Sequence, residues 1–171
     1  RLAGLSDIAP HVVPQAVAFL ILAVLGVNAW QSMYESVGDT PCVYADAHAN
    51  GISCCVLQIP LQLYELACAA RVKRPRGKTF EMVAHHALAL LLACLAVNKN
   101  IYFFYGTYFF GVSELSSLPL VFLDLFKMFP DVKKRYPVSN ELIRPFFYIC
   151  FLVLRPFYWT YVSFHFWSAS L

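Results

Sequence analysis

Five titratable side chains fall inside long apolar blocks of this sequence: Glu65, His85, His86, Glu114 and Arg155. An ionisable group set among aliphatic residues is expensive, so each is a candidate for chemistry or binding. An imidazole served by a carboxylate could act as a general base. A glutamate and an arginine could instead pair, each removing the cost of the other's charge. His85 and His86 stand in Glu81-Met82-Val83-Ala84-His85-His86, at the head of the apolar run 87–97. Neighbours on a helix point about 100° apart, so both rings cannot address one small atom without strain. One can face a cavity while the other bonds an adjacent helix. The plainer reading is that both imidazoles are neutral and bond polar groups of neighbouring helices.

Other chemistries find no support in the pattern. Five histidines, His11, His48, His85, His86 and His165, do not make the spaced boxes that membrane di-iron oxidation requires. The six cysteines, Cys42, Cys54, Cys55, Cys68, Cys94 and Cys150, contain no Cys-x-x-Cys, and most lie in apolar stretches where cysteine behaves as a small hydrophobe. No metal site or cofactor is expected. There is no Gly-x-Ser-x-Gly elbow and no phosphate-binding loop.

The elements that carry these residues read as membrane helices. The chain has 171 residues, 60% hydrophobic and 13% charged, with a mean hydropathy of +0.60. A soluble domain averages about 45–50% apolar and about 25% charged. Apolar blocks near the roughly 20 residues needed to cross hydrocarbon recur along the chain. The spacing predicts spans over about 11–30, 49–70, 80–97, 101–129 and 141–167. Pro60, Gly111, Pro119 and Pro156 are the expected bending points. Gly38-Asp39-Thr40-Pro41 marks a turn in the first loop, and Asn98-Lys99-Asn100 a tight connector. The expected fold is therefore all-α, a polytopic transmembrane bundle of about five spans forming one domain over 1–171. The chain starts at Arg1 and reads as processed or truncated, and its short tail after Trp167 leaves room for a sixth helix beyond it.

Charge placement supports this count. Arg1 precedes the first span. Arg71, Lys73, Arg74, Arg76 and Lys78 separate the second from the third, and Lys127, Lys133, Lys134, Arg135 and Arg144 the fourth from the fifth. With five spans these groups share one face, opposed only by Lys99, with Arg155 inside a span. The positive-inside rule then puts basic loops 71–78 and 131–135 on the cytoplasmic, matrix or stromal side of an endoplasmic reticulum or organellar (mitochondrial or plastid) membrane. Basic residues that flank spans do not line a nucleic-acid-binding face.

Counting about 1.5 Å per residue, His85, His86 and Glu65 lie roughly 10 Å inside the basic face, and Glu114 and Arg155 share a deeper layer. Depth thus suggests two groupings, a His85–His86–Glu65 layer and a Glu114–Arg155 pair.

The order and types of these residues resemble the TLC domain family, named for translocation-associated, longevity-assurance and ceroid-lipofuscinosis membrane proteins. The resemblance covers about residues 39–165. It rests on Glu81-Met-Val-Ala-His85-His86, on Glu114-Leu115-Ser116-Ser117-x-Pro119, and on Asn140 followed by Arg155. The Glu-Leu-Ser-x-Pro element looks like the small branch implicated in membrane lipid composition. Ceramide synthases share the domain. Leu123-Asp124-Leu-Phe-Lys127-Met128-Phe129 resembles the end of their acidic element, but the two aspartates of that element fall on Ser117 and Leu120. A serine cannot serve as a carboxylate base.

Three functions fit these residues together with the resemblance: the layered polar groups and the missing acidic pair favour the first, the aromatic content (16% of residues) and the start at Arg1 fit the second, and the domain shared with ceramide synthases suggests the third. In the first, a non-catalytic protein binds or senses membrane lipid through Glu65, His85, His86, Glu114 and Arg155. In the second, the chain is an accessory subunit of a larger organellar membrane complex. In the third, it is an acyl-CoA-dependent N-acyltransferase acting on a sphingoid base, with His85 or His86 as base and Glu114 as partner. The expected partners are membrane lipids and other subunits of such a complex.

Overall fold

A computed structural model of the chain describes residues 5–33, 49–71, 76–99 and 102–170. The Gly38–Pro41 turn and residues 72–75 of the basic segment lie outside them. Five helical stretches are long and apolar enough to cross a membrane: Val12–Gln31, Ala49–Ala69, Thr79–Lys99, Phe103–Lys127 and Pro137–Ser168. No strand occurs among the described residues.

The first three spans are single helices, α1 (Leu5–Met33), α2 (Ala49–Arg71) and α3 (Arg76–Lys99). α2 matches its expected block to within one residue, α3 extends a few residues beyond its block at both ends, and α1 starts at Leu5, ahead of the block expected from residue 11. The fourth span is broken. α4 (Phe103–Phe110) stops at Gly111, whose backbone leaves the helical region at φ −120° and ψ −76°. A 3₁₀ turn, Val112–Ser116, follows, and α5 (Ser117–Met128) resumes the helix. The bend thus falls at Gly111. Pro119 sits in the first turn of α5, where a missing N–H costs little. A short exposed helix, α6 (Pro130–Arg135), leads to the fifth span. That span is α7 (Pro137–Leu152), a π-helical turn at Val153–Tyr158, and α8 (Trp159–Ser170). The π turn contains Pro156, at the bend expected from the sequence.

The fourth span is the pivot. It packs against α1 and α2 on one side and against the fifth span on the other. In its apolar stretch 56% of the residues are buried, against 11% in the third span and 6% in the fifth. α3 packs chiefly on α2. Close approach at the bend depends on missing side chains. A Cβ on Gly26 of α1 would collide with the backbone of Gly111 and Val112. Membrane helices gain little from apolar burial alone, so contacts this close supply dispersion energy that larger residues would forfeit. Two clusters meet the pivot. Trp30, Phe104, Tyr105, Tyr108 and Val162 knit spans one, four and five. Leu22, Cys54, Cys55, Ala93 and Phe103 knit spans one to four.

Candidate functional site

The polar groups of the interior are gathered by the 3₁₀ turn of the fourth span. Glu114 is buried there, and its Oε1 accepts a hydrogen bond from Gln58 Nε2 of α2 at 3.1 Å. Gln58 Oε1 accepts from Gln62 Nε2 at 3.0 Å. Gln62 Oε1 lies 2.7 Å from His86 Nδ1 of α3. Since both Gln62 amide roles are then assigned, His86 must be the donor through Nδ1–H in this contact. The result is a chain His86–Gln62–Gln58–Glu114 that crosses spans three, two and four.

Helical geometry explains why α2 can supply the middle of it. Gln58, Gln62 and Glu65 recur at i, i+4 and i+7, one stripe of one face, and all three are buried. The 3₁₀ turn supplies the far end. Breaking the α-helix at Gly111 lets the turn carry Glu114 toward α2 while Ser116 is presented to the fifth span.

Arg155 approaches from that other side. Its Nε donates to Ser116 Oγ at 3.2 Å, and a guanidinium nitrogen lies 3.5 Å from Ser117 Oγ. Ser116 in turn donates to the Ser113 carbonyl at 2.7 Å. The guanidinium also lies over the Trp159 ring, 5.2 Å from its centroid. Arg155 belongs to the π turn, and two aromatic hydrogen bonds pin that turn. Tyr108 donates to the Leu154 carbonyl, and Trp30 Nε1 donates to Tyr158 Oη at 2.8 Å. The extra residue of a π turn re-aims the side chains that follow it, and such turns are frequent at functional sites.

These positions correct one expectation and rearrange another. Glu114 and Arg155 are not an ion pair: the acid is taken by Gln58 and the base by two serine hydroxyls. The equal depth expected from the sequence does not bring them together: Glu114 belongs to the 3₁₀ turn and is bonded by α2, while Arg155 reaches Ser116 of that turn from the fifth span. His85 and His86 part as the 100° rule requires. His86 turns toward α2, while His85 is exposed on the outside of α3, its ring edge-on to His86 at 5.2 Å. Glu65 is buried on α2 one turn beyond Gln62. Gln58 and Gln62, which join the site together, were not singled out from sequence. Their spacing with Glu65 is the signal that would have found them.

Two further features follow from the resemblance motifs. Asn140 is buried at the start of α7, where its Nδ2 donates to Glu141 Oε1 at 2.9 Å. Ser117 and Leu120 stand where ceramide synthases carry aspartates; Ser117 lies beside Arg155, and Leu120 is exposed. No group of histidines, cysteines or carboxylates among the described residues could hold a metal ion.

Five apolar spans pivoting on a broken fourth helix, with their costly polar groups bonded across the interior, define a polytopic membrane helix bundle. The family model for the TLC domain matches residues 12–170, and the chain belongs to that family. None of the curated proteins and none of the solved structures compared with it matches.

Proposed function

We propose that this TLC-domain protein binds or senses membrane lipid without catalysing a reaction on it, with the two histidines of α3 as the polar groups a lipid meets. One observation carries this reading. His85 is exposed and His86 half-buried on a helix whose exposed positions include Glu81, one turn before His85, and then apolar residues such as Leu88, Leu91 and Leu92, and His86 is joined through Gln62 and Gln58 to buried Glu114. An exposed imidazole on a lipid-facing helix is costly unless something polar meets it. A hydroxyl, amide or phosphate at the upper end of a lipid is the group available at that depth. Contact at His86 would reorder the amide chain and so reach the bend of the fourth span.

The wiring also weighs against the acyltransferase reading. A general base needs its partner within hydrogen-bond reach. Two glutamine side chains separate His86 from Glu114, so these two do not form the dyad that reading requires. The accessory-subunit reading draws on the fifth span. Phe146, Ile149, Phe157, Phe164 and Trp167 are all exposed along it, a face on which a neighbouring membrane helix would fit.

The test is the purified full-length chain in mild detergent. The expected result is co-purified lipid by mass spectrometry, and a melting temperature that rises with added lipid and responds less in His86→Ala. Lipid-free protein whose melting ignores every lipid class would overturn the proposal. So would an N-acylated product formed from acyl-CoA and a sphingoid base in proteoliposomes. Isolation at fixed stoichiometry with other membrane subunits would favour the accessory reading.

A further inference from the structure

A second polar site lies away from the histidine network, at the hinge between the fourth and fifth spans. A cleft of about 160 Å³ opens where α5, α6 and α7 meet. Its volume is that of roughly five waters, enough for a headgroup but not for a whole lipid. Its polar end is formed by Lys127, Lys133, Arg144 and buried Asn140, and its apolar end by residues such as Leu120 and Phe147.

The two ends follow from helix direction. On α5 the lining residues Leu120, Leu123 and Lys127 recur at i, i+3 and i+7, and the lysine is next to the last residue of the helix. On α7 Asn140, Arg144 and Phe147 recur at i, i+4 and i+7, with the amide in the first turn. The spans are joined by a short connection and run antiparallel, so both stripes are polar at the loop end and apolar deeper in. That gradient is the profile of a lipid entering headgroup first at the interface, with its chains along the helices.

The charges are suited to an anion. Lys127 is already committed to Asp124, at 3.0 Å, and Asn140 donates to Glu141. The side chains of Lys133 and Arg144 make no hydrogen bond or ion pair with another described residue, and both residues are exposed at the rim. A guanidinium and an ammonium beside a buried amide suit a phosphate oxygen set.

We propose that this cleft binds the phosphate of an anionic glycerophospholipid, with Lys133 and Arg144 as the charged contacts, Asn140 as the buried polar wall and Leu120 and Phe147 against the first part of an acyl chain. The site does not depend on the reading of the histidines. It would tie the hinge of the most exposed span to the lipid composition of one leaflet.

The experiment uses the full-length chain, delipidated in detergent, titrated with phosphatidylglycerol, phosphatidylcholine or inorganic phosphate, with melting temperature and native mass spectrometry as readouts. The expected result is retention of phosphatidylglycerol in preference to phosphatidylcholine. A basic residue near an anionic surface contributes enough that Lys133→Gln/Arg144→Gln should weaken binding by about 10- to 30-fold. The equal charge change Lys134→Gln/Arg135→Gln, outside the cleft lining, should cost less than about 3-fold. Leu120→Trp keeps every charge and fills the apolar end from an exposed position; it should weaken lipid binding and serves if the double variant does not fold. Equal losses in the two double variants would reduce the site to diffuse surface charge and overturn the proposal. Equal binding of the two lipids would overturn it, as would no loss in Leu120→Trp. Protection by inorganic phosphate as strong as by lipid would assign a soluble phosphate instead.

Discussion

Glu114 is part of the 3₁₀ turn and is bonded by the second span, whereas Arg155 reaches that turn from the fifth, and the protein solves the cost of each in a different way. The acid sits in the most buried span and is held by a file of neutral amides ending at an imidazole. The base sits in the least buried span and is held by serine hydroxyls and the face of a tryptophan. Neither uses a counter-ion as its direct partner. Inside a membrane, oriented dipoles can offset a charge, and they impose geometry that an ion pair would not. The amide file requires three helices in register. The hydroxyl and ring contacts require one helix to be re-aimed by a π turn.

The difference can be broken most sharply at the acid. Glu114→Leu leaves the Gln58 amide without its acceptor in a buried site, where an orphaned donor costs about 1–3 kcal/mol. Thermal unfolding in detergent should show the largest loss in this variant, and Glu114→Gln, which keeps an acceptor, should recover most of it. Next in size is Ser116→Ala, which removes the hydroxyl from a guanidinium that stays in place. Stranding a charge costs more than removing it, so Ser116→Ala should destabilise more than Arg155→Met. The reverse order would mean that Trp159, and not the hydroxyls, carries Arg155. Gln62→Leu cuts the file at its middle. Hydrogen bonds between membrane helices average about 0.6 kcal/mol with a maximum near 1.7, so a loss of about 1 kcal/mol is expected, together with loss of any effect of lipid at His86 on the fourth span. The smallest effect belongs to His85→Ala. An exposed residue away from such features changes stability by within about 0.5 kcal/mol, and its contribution should surface only when lipid is added.

The spans, their number and the break at Gly111 were legible in the sequence. Apolar block length and the clustering of lysine and arginine report directly on the membrane's thickness and charge asymmetry. Glu114 and His86 were legible for a related reason, since an ionisable group among aliphatic residues stands out by its cost. Gln58 and Gln62 were not singled out, because a neutral amide raises no comparable alarm, although the stripe they form with Glu65 was there to be read. The Glu114–Arg155 pairing was expected from depth and is absent from the structure. Depth follows from counting residues along an axis. Azimuth depends on how each helix is rotated against its neighbours.

By itself, then, this sequence determined that the described residues carry five helices long and apolar enough to cross a membrane, and which side chains are costly among them. Those are properties of each helix in its solvent, and they need no knowledge of any other helix. Only the tertiary structure decided which of those side chains meet. The close crossing of Gly26 on Gly111, the 3₁₀ turn and the π turn set the rotations of the helices, and those rotations send Glu114 to an amide, Arg155 to a hydroxyl, and His85 to the outer face.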